Sequence, residues 1–66
     1  MKTDEDIEML WAMKRYGGSF VRALGDAGFS ADSGNFEKLR VAFPDYFAEY
    51  VVLAKHSRAI REKSGE

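Results

Sequence analysis

The sequence contains no cysteine and only one histidine among its 66 residues. Without cysteine, the chain can form neither a disulfide nor a metal site with thiolate ligands. A single histidine also leaves little for zinc binding or for acid–base chemistry. We therefore expect no metal ion and no cofactor. Aromatic residues make up 14% of the chain and are the expected source of stability, because each large ring can bury roughly 150–250 Å².

Long apolar runs and an excess of one charge are also missing. No segment approaches the roughly 18 apolar residues that identify a membrane span, and the first residues lack the layout of a signal peptide. Ten basic and eleven acidic side chains give a net charge of −1, which does not favour strong binding to nucleic acid. We expect one cytoplasmic domain over residues 1–66, with no membrane partner and weak or no affinity for nucleic acid.

No arrangement of residues is typical of a catalytic site. The chain has five serines but lacks the spacing of a nucleophile elbow. The carboxylates of Asp4 and Glu8 fall on a narrow polar strip of a helix rather than in a pocket. The acidic residues near the N-terminus do not have the spacing of a calcium-binding loop either. The sequence therefore predicts a protein that is not an enzyme.

Helix start and stop signals divide the chain into four segments. Thr3 precedes three acidic residues, which is typical of a helix start because the hydroxyl caps the first turn and carboxylates favour the positive end of the helix dipole. Gly17 and Gly18 predict the end of this helix, since glycine adopts a positive φ without strain. Gly28 is a second stop signal, and Pro44 suits the first turn of a new helix. The sequence predicts an all-α bundle of about four helices, over residues 4–16, 19–27, 33–43 and 44–61, with a frayed tail from about residue 62.

Helical periodicity predicts which faces of these helices are buried. At 100° per residue, Phe20, Val21 and Leu24 share one face of the second predicted helix. The corresponding faces of the third and fourth helices contain Phe36, Leu39, Phe43, Phe47, Tyr50, Val51 and Ala54. These faces predict a shared core.

The first predicted helix has an unusually wide apolar face. Its apolar residues cover roughly 200°, whereas a peripheral helix needs little more than 100°. Either this helix is packed on two sides, or another chain covers part of it. We favour the second interpretation, in which a host protein or a second copy of the chain is the partner and Trp11 is the anchor. The predicted partner-binding residues are Asp4, Glu5, Glu8, Met9, Trp11 and Met13.

The end of the fourth predicted helix carries a basic cluster. Lys55, Arg58 and Arg61 face the negative end of the helix dipole, which is the ordinary explanation for such a cluster. The alternative function is a small nucleic-acid-binding or regulatory protein whose phosphate contacts come from these three residues. A helix-turn-helix formed by the second and third helices fits poorly, because Gly34 falls where that motif needs a branched core residue. A purely self-associating structural component is a third interpretation.

Three segments resemble short open reading frames that are carried by bacteriophages and integrated mobile elements. They are MLWAMKRYGGSFV at residues 9–21, NFEKL at residues 35–39 and AFPDY at residues 42–46. The resemblance implies a small phage accessory protein, a class that commonly binds and diverts a host protein, with anti-CRISPR inhibitors as one group. It identifies no active residue. The partner that it implies is a host protein or protein complex in the bacterial cytoplasm.

Overall fold

The computed structural model describes the backbone of residues 2–64 and the side chains of residues 2–56. These residues form four α-helices and no strand, which confirms the predicted all-α class. The helices are α1 (Asp4–Tyr16), α2 (Ser19–Ser30), α3 (Ser33–Ala42) and α4 (Pro44–Ser64). In this part of the chain, no helix combines the length and the hydropathy that a membrane span requires.

A capping box starts α1 at the predicted residue. The backbone N–H of Asp6 donates to Thr3 Oγ1, and the backbone N–H of Thr3 donates to Asp6 Oδ2, both at 3.0 Å. Three acidic residues occupy the first turn of the helix and two basic residues occupy the last. Because each charge lies near the dipole end of opposite sign, local interactions stabilise α1 at both ends.

Three helix ends differ from the sequence-based prediction. The helix α2 continues three residues beyond the predicted stop, to Ser30, because Gly28 is a helical residue that contacts α1 rather than a C-cap. The third helix ends one residue early, and α4 continues to Ser64, so the segment predicted to fray from residue 62 is helical as far as the structure describes it.

Gly17 ends α1 in an extended conformation, not with a positive φ. A Cβ at Gly17 would lie 2.5 Å from Val21 Cγ1, so space is what requires glycine there.

The first helix is the central helix of the bundle. It packs against both α2 and α4, whereas α3 packs mainly on α4. Its contribution to the core is Met9, Leu10, Ala12 and Met13, all of them buried. The wide apolar face of α1 is therefore explained, in large part, by packing on two sides.

Two glycines of α2 allow its backbone to approach α1 closely. A Cβ at Gly28 would overlap Leu10 Cδ2, and a Cβ at Gly25 would lie 3.1 Å from the carbonyl oxygen of Leu10 and 3.2 Å from Met13 Cβ. Any side chain at either position would meet α1 at or below van der Waals distance. The glycines thus position the end of α2, including Phe29, beside the solvent-facing side of α1.

The third helix is attached through aromatic side chains. Phe36 is its one buried residue among those described, and its ring centroid lies 5.6 Å from that of Phe47 on α4. Lys2 Nζ donates to the carbonyl oxygen of Ala31 at 2.6 Å and lies 5.7 Å from the Phe36 centroid. Because α3 makes little contact with α2, the two do not form the packed pair of a helix-turn-helix.

Candidate partner-binding surface

One side of α1 is largely exposed in the part of the chain that the structure describes. Residues 4, 8, 11 and 15 recur at intervals of three or four, which places them on one side of a helix. The buried residues Met9, Leu10 and Met13 lie on the other side. Trp11 lies at the middle of the solvent-facing side and is 57% exposed. This side of α1 carries the most exposed aromatic residue of the described chain, and it is the candidate site.

The indole of Trp11 is held in place although it is exposed. Its ring packs edge-to-face against Phe29 of α2, with the centroids 5.0 Å apart. Lys14 Nζ lies 5.1 Å from the Trp11 centroid and 5.6 Å from the Phe29 centroid, and it pairs with Asp26 Oδ1 at 2.9 Å. An aromatic contact and a cation–π contact therefore restrict the indole before any partner binds. Such restriction lowers the entropy that binding has to overcome.

A groove of about 560 Å³ lies beside Trp11. Its floor includes Ala12 of α1 and Ala54 of α4, two small residues that are both buried. The side chains around it are polar or aromatic, namely Glu8, Trp11, Lys14, Arg15 and Tyr16. We call these five residues and the two alanines the Trp11 groove. An apolar floor with a mixed polar rim is the composition of a protein-binding surface rather than of a core.

The structure brings together only some of the predicted partner-binding residues. Glu8 and Trp11 line the Trp11 groove, and Asp4 is exposed near the start of the same helix. Glu5 is also exposed, and its Oε2 lies 3.4 Å from Lys55 Nζ on α4. Of these residues, Asp4, Glu5 and Trp11 are exposed and Glu8 is half-buried.

Met9 and Met13 were wrongly assigned to the partner-binding surface. They are 1% and 0% exposed, because they lie on the side of α1 that packs inside the bundle. The prediction failed because a 200° apolar arc does not show which part of it other helices cover. Nothing in the structure allows either methionine to touch another chain without opening the core.

Sequence reasoning missed five residues of the Trp11 groove and one of its supports. Lys14 and Arg15 lie three and four residues after Trp11, so helical spacing alone was a sufficient signal to include them. Tyr16 is half exposed at the end of the same helix. Ala54 and Phe29 reach the site only through the packing of α4 and α2 on α1, and no sequence pattern indicates that. The fifth missed groove residue is Ala12.

A second group of exposed rings lies where α2 and α4 begin. Phe20 is 54% exposed, although the periodicity of α2 predicted it to be buried. Its ring centroid lies 5.7 Å from that of Phe43 and 5.8 Å from that of Tyr46. Phe20 therefore contacts other rings at the surface instead of joining the core of the bundle.

The basic cluster of α4 is only partly described. Lys55 is exposed and lies 3.4 Å from Glu5, as given above, so a carboxylate partly neutralises its charge. The side chains of Arg58 and Arg61 lie outside the described residues.

Among the residues that the structure describes, no group of three histidine or carboxylate side chains could hold a metal ion. No protein-family model, curated protein or solved structure matches this chain.

Proposed function

We propose that the chain is a non-enzymatic helical interaction protein, which binds a host protein through the Trp11 groove. The observation that carries the proposal is the indole of Trp11, which is held by Phe29 and Lys14 but remains 57% exposed beside the groove. Tryptophan, tyrosine and arginine are the residues that most often dominate binding energy at protein interfaces. All three occur in the Trp11 groove.

The proposed mode of action is inhibition by occupying a surface of the partner. Since the sequence contains no motif of a catalytic site, we expect this small chain to inhibit by covering a surface of its partner. The resemblance of residues 9–21, 35–39 and 42–46 to phage and mobile-element reading frames supports a host protein complex in the bacterial cytoplasm as the partner. An anti-CRISPR inhibitor is the narrowest form of this proposal. Bound at the groove, the chain would block whatever the covered surface of the host complex contacts.

The test is capture of partners from a bacterial lysate on the immobilised chain, followed by mass spectrometry. We expect Trp11→Ser to lose the proteins that the unmodified chain retains, with affinity reduced by at least about 30-fold, the loss that defines a hot spot. Val52→Ser is the matched control, because Val52 is a 67% exposed apolar residue of α4 that does not line the groove. If both variants retain the same proteins as the unmodified chain, the proposal is wrong.

The alternative function is nucleic-acid binding through Lys55, Arg58 and Arg61. The salt dependence of binding tests it alongside the lysate capture. With at most three or four phosphate contacts, log K should fall against log[salt] with a slope of only about −3 to −4. We expect affinity in the non-specific range, and we expect Arg58→Glu with Arg61→Glu to abolish it without affecting protein capture. Nanomolar, sequence-dependent binding at physiological salt would reverse the order of the two functions.

A further inference from the structure

The charges on the solvent-facing side of α1 change sign at its middle. Asp4 and Glu8 precede Trp11 on this side, and Arg15 follows it. Arg15 is exposed and forms no ion pair with any described side chain. The surface is therefore acidic at one end, aromatic in the middle and basic at the other end.

A surface with this order of charges is complementary to itself. If a second α1 lies against the first in the antiparallel direction, a two-fold axis between residues 11 and 12 places Glu8 of each copy opposite Arg15 of the other. The two ion pairs then stand on either side of the Trp11 indoles, about 10 Å apart for seven residues at 1.5 Å per residue. Two identical patches that are each their own complement form a closed two-fold interface. A parallel arrangement would instead bring like charges together.

The groove supplies space for the aromatic part of this contact. It lies beside Trp11, has a volume of about 560 Å³, and has Ala12 and Ala54 as its floor. An indole from a second copy, approaching along the two-fold axis, meets this groove next to the first indole. Each copy thus provides both the side chain that inserts and the space that receives it.

We propose that the Trp11 groove binds the same surface of a second copy, in an antiparallel dimer with reciprocal Glu8–Arg15 pairs. Glu8 already has an interaction within its own chain, but an ionised carboxylate offers about four acceptor positions and can accept a second donor. This proposal does not depend on the function proposed above, because it needs no host protein.

The dimer is expected to be weak. The contact is limited to one helix of 13 residues, which is about 20 Å long. An interface of that extent falls below the roughly 1,200 Å² of stable complexes, so dissociation in the micromolar range is expected. A host protein that binds the Trp11 groove more tightly would displace the second copy, and the two occupants would compete.

The test reverses the charges at Glu8 and Arg15. In sedimentation equilibrium from low micromolar to near-millimolar protein, the unmodified chain should reach a dimer. Glu8→Arg alone and Arg15→Glu alone should each raise the dimer Kd by more than about tenfold, because like charges then face each other twice. An equimolar mixture of these two variants should recover a heterodimer, since one copy supplies two cations and the other two carboxylates. The double variant E8R/R15E should recover the homodimer.

A matched control and a second measurement distinguish loss of the dimer from misfolding of a variant. Lys38→Glu makes the same change of charge at an exposed position of α3 and should leave the Kd unchanged. Trp11 is the only tryptophan, so its fluorescence in the unmodified chain should shift with concentration, without any substitution. A chain that stays monomeric at near-millimolar concentration, or single variants that dimerise normally, would overturn the proposal, as would a mixture that fails to recover the heterodimer. None of these results depends on lysate capture, so the dimer and the host-binding function can fail separately.

Discussion

The two helix pairs of this bundle are held together in different ways. Between α1 and α2 the backbones come close, because glycines of α2 contact Leu10 and Met13 directly. Between α3 and α4 the contact is made by rings, with Phe36 against Phe47. At the first contact, a larger side chain would overlap its neighbours and a smaller one would leave a cavity. Beside its two buried rings, the second contact includes partly buried side chains such as Leu39, so shortening one of these should have a smaller effect.

The largest expected difference comes from shortening one leucine in each pair. Leu10→Ala removes a fully buried side chain of α1, and should lower the free energy of unfolding by about 3–4 kcal/mol. Leu39→Ala removes the same atoms from a partly buried side chain of α3, and should lower it by about 1 kcal/mol. Urea denaturation followed by circular dichroism measures both. Equal losses would remove the distinction between the two helix pairs.

Adding one methyl group tests the α1–α2 contact from the opposite direction. Gly28→Ala should destabilise the fold by about 2 kcal/mol, because the new Cβ overlaps Leu10 and the core is overpacked. Gly34→Ala is the control, since the nearest side-chain atom lies 3.7 Å from its Cβ position, and it should stabilise by about 0.5 kcal/mol. In a Leu10→Ala background, Gly28→Ala should lose most of its cost. If the cost is unchanged in that background, Leu10 is not what limits the space.

The smallest expected effect is local and concerns the N-cap of α3. The backbone N–H of Asn35 donates to Asp32 Oδ1 at 2.8 Å, and this is the side-chain cap of the helix. Asp32→Ala should remove about 1 kcal/mol and speed amide hydrogen exchange in α3 by about fivefold. Exchange in α1 should change less, because its amides open only with the whole bundle. Thr3→Ala removes the cap of α1 and is the matched variant, which should speed exchange in all helices alike.

Local signals were sufficient to predict the helices. Thr3, Pro44 and the glycines at 17 and 18 gave three helix boundaries correctly, because caps and backbone restrictions act within a few residues. Gly28 misled the prediction of α2, since the residue serves a contact with Leu10 that lies 18 residues earlier in the chain. The physical reason for a glycine can be conformational or steric, and the sequence does not distinguish the two.

The candidate site was less predictable than the fold. Apolar residues of α1 were correctly identified, but their division into core and surface depends on where α2 and α4 pack. Met9 and Trp11 are two residues apart and both apolar, yet one is buried and the other is exposed. Only the tertiary arrangement decides between them. The same limit applies to Phe20, which lies on the apolar side of α2 but beyond the edge of the core.

The glycines of α2 also bear on the order in which the bundle folds. Two interior glycines, each about 1 kcal/mol less favourable to a helix than alanine, give α2 a weak tendency to form alone. Its N-cap Gly18 provides no side-chain hydrogen bond, and its first turn has no acidic residue. The first helix has both features and can form early. We therefore expect α2 to become helical only as it docks on α1. The contact of α1 with α4 also has to bring together segments that residues 17–43 separate, so folding should be slower than the small size of the bundle suggests.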